Sequence, residues 1–256
     1  MTPAGWLAPS WRIDGVAGLM TTRAGGSSVG PFASMNLGDR VGDDPASVAA
    51  NRRRLAAATG ASPVYLRQVH GTRVVRVGAE DAANGAAVHE ADASVTVEPG
   101  IACVVQAADC LPVLLAARNG RAVGAAHAGW RGLAAGVLDA AVAAVSDAAA
   151  CRRGDIVAWL GACIGPRAFE VGPDVLAAFG VAPEAAAEDR FRPLREGKWL
   201  ANLPLLARDR LAAVGVEEID SVDACTVEDA SRFFSFRRDG VTGRMAAAVW
   251  IEPARQ

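Results

Sequence analysis

The sequence predicts an α+β fold with mixed β-sheets, in a single domain spanning residues 1–256. Strand-like apolar runs and helical patterns are interspersed without a strict βαβ rhythm, and hairpin signals are present, which favours mixed over purely parallel sheets. No long linker, internal repeat or low-complexity tail divides the 256 residues, a length that suits one large domain or two small ones. A hydrophobic fraction of 52% supplies ample material for a core.

The charge balance and the cysteines narrow the class of protein. A formal net charge of −2 leaves no basic excess, so we expect no nucleic-acid partner. The most apolar long run, residues 133–150, contains Asp139 and Asp147, which favour an amphipathic helix over a membrane span. We see no signal-peptide pattern. Five irregularly spaced cysteines without a CxxC motif indicate reduced thiols, so we expect a cytoplasmic protein without a membrane partner. The sequence gives no signal for the oligomeric state.

The first part of the chain predicts a ligand-approaching loop followed by a helix. Residues 15–37 begin as a strand and continue as a Gly- and Ser-rich loop, with Arg23 and Asn36 as polar anchors. Asp44 suits a helix N-cap, and the proline after it suits the first helical position. We therefore expect a helix that begins there and stops at Gly60.

Further along the chain, Gly71 interrupts a strand pattern directly after His70. A glycine at such a place indicates a bulge or a close backbone approach, which makes His70 a candidate site residue. Residues 79–88 and 181–198 are polar and are expected to be loops. The other patterns predict, in order, a strand at 63–77 broken by Gly71, strands at 93–97 and 101–107, a helix at 133–150, a strand at 155–160, helices at 173–179 and 202–214, and two short strands around an Asp239-Gly240 turn.

Residues 107–132 are the centre of the candidate site. Two apolar runs are joined there by an Asn-Gly pair, which is a strong hairpin signal. Because antiparallel strands return the chain to its start, the hairpin should bring Cys110 alongside His127. The chain has three histidines, and His70 stands in another distinctive stretch, LRQVHG. We therefore hypothesise that His70, Cys110 and His127 form one site.

The chemistry of these three residues leaves three alternatives open. A thiolate and two imidazoles suit Zn²⁺, and three protein ligands with an open fourth position are typical of a catalytic zinc site. Cu²⁺ could occupy the same ligands. In the second alternative Cys110 is a nucleophile, with His127 or His70 as its base and Asp109 as the orienting carboxylate. In the third, Cys110 is only a buried core residue.

Five further residues are candidates for substrate binding. The HAGWRG segment is a strand-to-helix turn, where backbone N–H groups favour an anion and Arg131 could donate two hydrogen bonds. Gln68 and Asp109 could orient a metal ligand or carry protons. Arg23 and Asn36, in the glycine-rich loop, complete this group of candidates.

Several segments together resemble the YfiH-type family, also called the multicopper polyphenol oxidase or laccase-domain family. These segments are TTRAGGSS, SMNLG, RQVHGTRV, AADCLPVLL, AAHAGWRGL, WLGACIGPRAFEVG and FFSFRRDGVTGRMA. The resemblance runs from about residue 15 to residue 251. The motifs QVHG, ADCLPVL and HAGWRG are highly specific when they occur in this order.

The resemblance implies a fold, a metal and an activity. The implied fold is a β-sandwich of mixed sheets flanked by helices, shared with a group of cysteine-dependent toxins. The implied catalytic metal, usually zinc, would be held by His70, Cys110 and His127. The implied activity is the cleavage of adenosine, inosine, guanosine and methylthioadenosine with phosphate. The resemblance also implies the deamination of adenosine. Two other activities attached to the family are copper-dependent oxidation of phenols and the editing of peptidoglycan precursors by a hydrolase that would use Cys110.

Overall fold

The computed structural model of the protein describes residues 3–83, 85–186 and 189–253. The predicted domain 1–256 and the predicted loops at 79–88 and 181–198 extend onto positions outside the described residues, and the one-domain prediction stays a prediction. The strands are β1 Val16–Met20, β2 Ser62–Val64, β3 Val74–Arg76, β4 Ala93–Thr96, β5 Ile101–Ala107, β6 Leu111–Ala117, β7 Val123–Ala128, β8 Ile156–Leu160, β9 Glu170–Val171, β10 Phe191–Arg195, β11 Lys198–Ala201, β12 Glu218–Ser221 and β13 Met245–Ile251. The α-helices are α1 Pro45–Thr59, α2 Trp130–Ala135, α3 Val137–Ala149, α4 Pro173–Ala178, α5 Leu203–Ala213 and α6 Phe236–Asp239.

Two mixed sheets packed face to face form the core. The four-stranded sheet has the order β1-β13-β5-β2, and the six-stranded sheet has the order β12-β8-β6-β7-β4-β3. Each sheet contains both parallel and antiparallel pairs. Helix α1 covers the outer face of the four-stranded sheet through Leu55, and α3 covers the outer face of the six-stranded sheet through Val142. The predicted α+β fold, with mixed sheets flanked by helices, is therefore confirmed.

Strand β6 shows why the central strands read as continuous apolar runs. All seven of its residues are buried. Leu114 faces the four-stranded sheet, whereas Val113 and Leu115 face the layer that contains α3. Both faces of the strand are thus covered, so apolar residues are needed at consecutive positions and not only at alternate ones.

Helix α1 follows its sequence signals at both ends. The Asp44 carboxylate accepts a hydrogen bond from the backbone N–H of Ser47 at 2.9 Å, and Pro45 occupies the first helical position. Gly60 adopts the left-handed conformation with φ 64° and stops the helix. Among the described residues, no helix combines the length and apolar character needed to cross a membrane.

The predicted strand at 63–77 is wrong in its middle. Only β2 and β3 are strands there, and they belong to different sheets, because β2 pairs with β5 and β3 with β4. The chain crosses between the sheets in a loop that carries His70, whose φ of 61° is incompatible with a strand.

Three other predictions need correction. The expected polar loop at 181–198 contains β10, which pairs with β11 in a three-stranded sheet, and its mostly exposed side chains conceal the strand in the sequence. The expected helix at 133–150 starts earlier and is broken at Gly136, whose φ is 99°. The first of the two strands expected around Asp239-Gly240 is instead helix α6, whose N-cap Ser235 accepts a hydrogen bond from the backbone N–H of Arg238. Strands β9, β11 and β12 were not predicted.

We predict that Leu114→Ala lowers the free energy of unfolding by about 2–5 kcal/mol, because it leaves a cavity between the two sheets. Leu194→Ala is the control, since that leucine is 47% exposed and its truncation should change the free energy of unfolding by about 0.5 kcal/mol or less. Equilibrium denaturation in urea measures both variants. Equal destabilisation by the two substitutions would contradict the face-to-face packing.

Candidate metal centre

The β6–β7 hairpin sets Cys110 beside His127. Pro112 pairs directly with His127 across the two strands. Cys110 lies in the bend directly before β6, at the same end of the hairpin as His127, and the donor atoms of the two residues lie within 4.8 Å of each other. The loop between the strands contains the predicted Asn-Gly pair, with Gly120 at a φ of 70°. The hairpin expectation therefore agrees with the structure.

His70 approaches this pair from the loop between β2 and β3. Its Nε2 lies 3.6 Å from the Cys110 Sγ, and its ring centroid lies 4.8 Å from that of His127. The donor atoms of the three residues all lie within 4.8 Å of one another, a spacing that could hold a metal ion. His127 is buried, Cys110 is half-buried and His70 is exposed, so the group faces solvent on the His70 side.

The carboxylate of Asp92 orients two of the three residues. Asp92 is fully buried immediately before β4, and its Oδ1 accepts a hydrogen bond from His127 Nδ1 at 2.8 Å. The same carboxylate accepts the backbone N–H groups of Val69, His70 and Gly71 at 3.1, 2.9 and 2.7 Å. With Nδ1 held by Asp92, Nε2 is the ring nitrogen of His127 that remains to face a metal ion.

The electrostatics of the group favour a thiolate. Burial alone would raise the pKa of the Cys110 thiol, but the charges and hydrogen bonds of His127 and His70 outweigh it, so this pKa lies below its ordinary value. Burial would lower the pKa of His127, yet Cys110 and Asp92 raise it above its ordinary value. Cys103 shows the opposite case, because burial raises the pKa of its thiol to about 12. A thiolate is the form that binds metals.

Two glycines of the HAGWRG segment allow the close approach of the His70 loop. A Cβ atom on Gly129 would lie 2.6 Å from His70 Cδ2 and 3.1 Å from Cys110 Sγ. A Cβ atom on Gly132 would lie 2.9 Å from the carbonyl oxygen of Gly71. Any side chain at these positions would therefore push His70 away from the other two donors.

A cavity of about 420 Å³ opens in front of the three donors. Its volume lies within the range of small-molecule sites. The three donor residues form part of its wall, and four arginines also line it, namely Arg40, Arg52, Arg67 and Arg244. The arrangement combines metal-binding groups with positive charge in one concave space.

Of the five predicted substrate-binding residues, Gln68 lines this cavity. Its amide is engaged on both sides by the backbone of Gln106, at 2.8 Å for each hydrogen bond. Arg23 donates to the carbonyl oxygens of Ala33 and Ala230. The Arg131 guanidinium lies over the Trp130 ring. Among the described residues that form the cavity wall, neither Arg23 nor Arg131 is found.

The other two predicted residues hold backbone segments in place. Asn36 is buried, and its Oδ1 accepts the backbone N–H groups of Gly38 at 2.9 Å and of Arg244 at 2.8 Å. The Asp109 carboxylate accepts the Thr226 hydroxyl and the Arg237 backbone N–H, both at 2.6 Å. These contacts fix the turn just before Cys110, where Asp109 has a φ of 100°.

Sequence reasoning missed two residues of this site, Asp92 and Arg244. Asp92 had one available signal, a carboxylate placed directly before a strand in the ADASVT segment. Arg244 stands in the FFSFRRDGVTGRMA segment that carries the family resemblance, but nothing local marks it among the three arginines there, and it lies 134 positions after Cys110. Both residues reach the site only through the tertiary fold.

Known proteins resemble the chain over nearly its whole length. The family model described as multi-copper polyphenol oxidoreductase laccase matches residues 17–252. A purine nucleoside phosphorylase of Pseudomonas aeruginosa is 47% identical over 249 residues, which cover 96% of this chain and 98% of that protein. The purine nucleoside phosphorylase YfiH of Escherichia coli is 48% identical, with the same coverage.

Two solved structures share the fold. A Neisseria meningitidis protein has a TM-score of 0.89 and 44% identity, over 97% of this chain and 100% of the other. YlmD of Geobacillus stearothermophilus has a TM-score of 0.90 and 34% identity, over 99% of this chain and 98% of the other.

We predict that Asp92→Asn weakens metal affinity by about 10–100-fold and destabilises the fold. The amide group keeps the shape of the side chain but replaces one acceptor oxygen by an NH₂ donor. That donor would face the backbone N–H groups or the His127 N–H that the Asp92 oxygens now accept. Competition with a chelating dye measures the affinity for Zn²⁺.

Asp81→Asn is the matched control for Asp92→Asn. The Asp81 carboxylate also binds a histidine, with 2.6 Å between its Oδ1 and His89 Nε2, but this pair lies outside the group of three donors. Its substitution should leave metal affinity unchanged. Wild-type affinity in Asp92→Asn, or an equal loss in Asp81→Asn, would refute the orienting role.

Proposed function

Because the chain belongs to the multi-copper polyphenol oxidoreductase laccase family, we propose that it is a zinc-dependent purine nucleoside phosphorylase that also deaminates adenosine. One observation carries the proposal: three metal-binding donor atoms converge on the wall of an arginine-lined cavity. The activity is the one named for the relatives from Pseudomonas aeruginosa and Escherichia coli, which this chain matches over 98% of their length.

The donor set fits zinc. One thiolate and two imidazoles are borderline-soft ligands, and a group of three that is open on one side resembles catalytic zinc sites. His70, Cys110 and His127 would hold the ion, with His127 fixed by Asp92. When bound, zinc acts as a Lewis acid and lowers the pKa of a water to about 7. Cu²⁺ binds the same donors and is the second candidate ion.

Phosphorolysis requires two substrates to meet in the cavity. A phosphate oxygen forms a bond to the ribose C1′ while the bond from C1′ to the purine N9 breaks. The electron pair stays on the purine, which takes up a proton. The products are the free base and ribose 1-phosphate, or 5-methylthioribose 1-phosphate when the substrate is methylthioadenosine. Adenosine, inosine, guanosine and methylthioadenosine all contain this bond, so we propose all four as substrates.

The residues of this chain contribute position and charge to that reaction. The arginines of the cavity favour a phosphate dianion and reduce its repulsion from the thiolate of Cys110. The walls around His127 are buried and keep bulk water from one side of the site. Gln68 bonds to the backbone of Gln106 and so attaches the His70 loop to the end of β5.

In the proposed deamination, water adds at the purine C6, the bond from C6 to its amino nitrogen breaks, and ammonia leaves.

Two alternative activities make different demands on the same residues. Copper-dependent phenol oxidation, suggested by the family description, normally needs further metal ligands. Among the described residues there is one three-donor group, and His89 pairs with Asp81 outside it. A metal-free hydrolase using Cys110, as in peptidoglycan-precursor editing, is favoured by the lowered pKa of that thiol.

We keep a cytoplasmic location, without nucleic-acid or membrane partners, as a prediction from the sequence.

We predict that Cys110→Ala abolishes both zinc binding and phosphorolysis while the protein stays folded. The substitution removes the thiolate that completes the donor set, and two imidazoles alone hold zinc weakly. Metal analysis of the purified protein and release of adenine from adenosine, with and without phosphate, measure the two effects.

Cys151→Ala is the control variant, because that half-buried thiol lies outside the donor group. It should retain both zinc and activity. A chelator should inactivate the wild type, and added zinc should restore it. Full phosphorolysis by Cys110→Ala would exclude the zinc enzyme, and chelator-resistant activity that is lost on alkylation would instead favour the cysteine hydrolase.

A further inference from the structure

Arg244 reaches the cavity from the segment just before β13, and its position is closely constrained. Its backbone N–H donates to Asn36 Oδ1 at 2.8 Å. Its aliphatic stem packs on Gly38, where a Cβ atom would lie 2.8 Å from the Arg244 Cγ. The side chain is half-buried and lines the same cavity as the three metal-binding donors.

The guanidinium of Arg244 is held by one nitrogen and has an open edge. Nη1 donates to the carbonyl oxygens of Thr242 and Gly243, each at 3.0 Å. Within the described part of the chain, Nε and Nη2 have no protein acceptor. In arginine these two nitrogens form the side-on fork that binds an oxyanion with two parallel hydrogen bonds. Arg167 uses this same edge on Glu228, at 3.0 and 2.6 Å.

The positive charge of Arg244 is not balanced in the way that the charges of other cavity arginines are. Arg52 forms an ion pair with Asp39, and Arg67 forms one with Glu90. Arg40 is exposed, so its charge is solvated, whereas Arg244 is half-buried. No carboxylate of the described residues lies within ion-pair distance of the Arg244 guanidinium. A partly buried, preoriented guanidinium without a counter-charge is expected to attract an anion, because an unpaired charge of this kind is costly to bury.

Two negative groups act on Arg244 from longer range, and both have other partners. The Asp109 carboxylate accepts two hydrogen bonds from Thr226 and the Arg237 backbone. The Cys110 thiolate belongs to the donor group of the metal centre. Neither group occupies the fork formed by Nε and Nη2, so this edge remains available to a ligand in the cavity.

We propose that the Nε–Nη2 edge of Arg244 binds the phosphate co-substrate, beside the metal-binding donors. This assignment rests on the proposed phosphorolysis and names the anion subsite of that reaction. The fork would hold two phosphate oxygens, and a third oxygen would then attack C1′ as the bond from C1′ to N9 breaks. Asn36 acts as a positioning residue, because it fixes the backbone of Arg244.

The test is a steady-state comparison of Arg244→Gln with the wild-type, zinc-loaded enzyme. We expect the KM for inorganic phosphate to rise at least about tenfold, since a charge-assisted bidentate contact is lost, while the KM for the nucleoside and the zinc content stay within about twofold. Arg167→Gln is the matched control: it removes the same charge and the same Nε–Nη2 edge, at an exposed arginine that Glu228 already neutralises and that does not line the cavity. Its KM for phosphate should change by less than about twofold.

Direct calorimetric titration with inorganic phosphate separates the failure of this proposal from failure of the proposed function. Arg244-dependent phosphate binding without any phosphorolysis would support the subsite and refute the function. Phosphorolysis with an unchanged phosphate KM in Arg244→Gln would refute the subsite alone, as would Arg244-dependent binding of adenosine 5′-monophosphate but not of inorganic phosphate. If Arg244→Gln is unstable, Arg244→Lys decides: it keeps the charge and loses the fork, so a raised phosphate KM supports the proposal and an unchanged one overturns it.

Discussion

The buried carboxylate of Asp92 holds the candidate metal centre together. It accepts the ring Nδ1–H of His127 and three consecutive backbone N–H groups of the loop that carries His70. Its own backbone carbonyl oxygen also accepts the N–H of His127, at 2.7 Å. These donors stabilise the charge of the carboxylate, whose pKa burial would raise but the hydrogen bonds lower. One side chain thus joins the loop of His70, which lies 22 residues before Asp92, to His127, which lies 35 residues after it.

The sandwich supplies the rigidity that this contact needs. Strands β6 and β7 are buried along their whole length, and they deliver Cys110 and His127 at one sheet end. The loop with His70 crosses from one sheet to the other and is held at both. Gln68 donates a hydrogen bond to Gln106 in β5, and the Gly71 backbone N–H donates to Asp92, directly before β4. Ligands carried on strands and a restrained loop hold their geometry better than ligands on free loops. Glycines 129 and 132 then allow the third ligand to come close.

Local signals explain what the sequence could predict. The Asn-Gly pair and the apolar runs around it sufficed for the hairpin, and Asp44, Pro45 and Gly60 sufficed for α1, because each pattern lies within a few residues. Asp92 and Arg244 were missed because their roles depend on contacts across 22 to 208 positions. Asn36 and Asp109 were predicted to bind substrate, but the structure places the Asn36 amide oxygen on two backbone N–H groups and the Asp109 carboxylate on the Thr226 hydroxyl and the Arg237 backbone N–H. A polar residue in a loop can bind a ligand or hold the backbone, and only the fold separates the two.

The cavity joins three candidate metal donors to a guanidinium whose Nε–Nη2 edge has no acceptor among the described residues, and the proposed reaction of phosphate with a nucleoside depends on both. The central claim is that His70, Cys110 and His127 together hold that metal. X-ray absorption at the zinc edge of the zinc-loaded protein tests it most directly. These three ligands should give one sulfur at about 2.3 Å and two imidazole nitrogens at about 2.0–2.1 Å, with the sulfur signal lost in Cys110→Ser. A zinc shell without sulfur, or one unaffected by that substitution, would contradict the account.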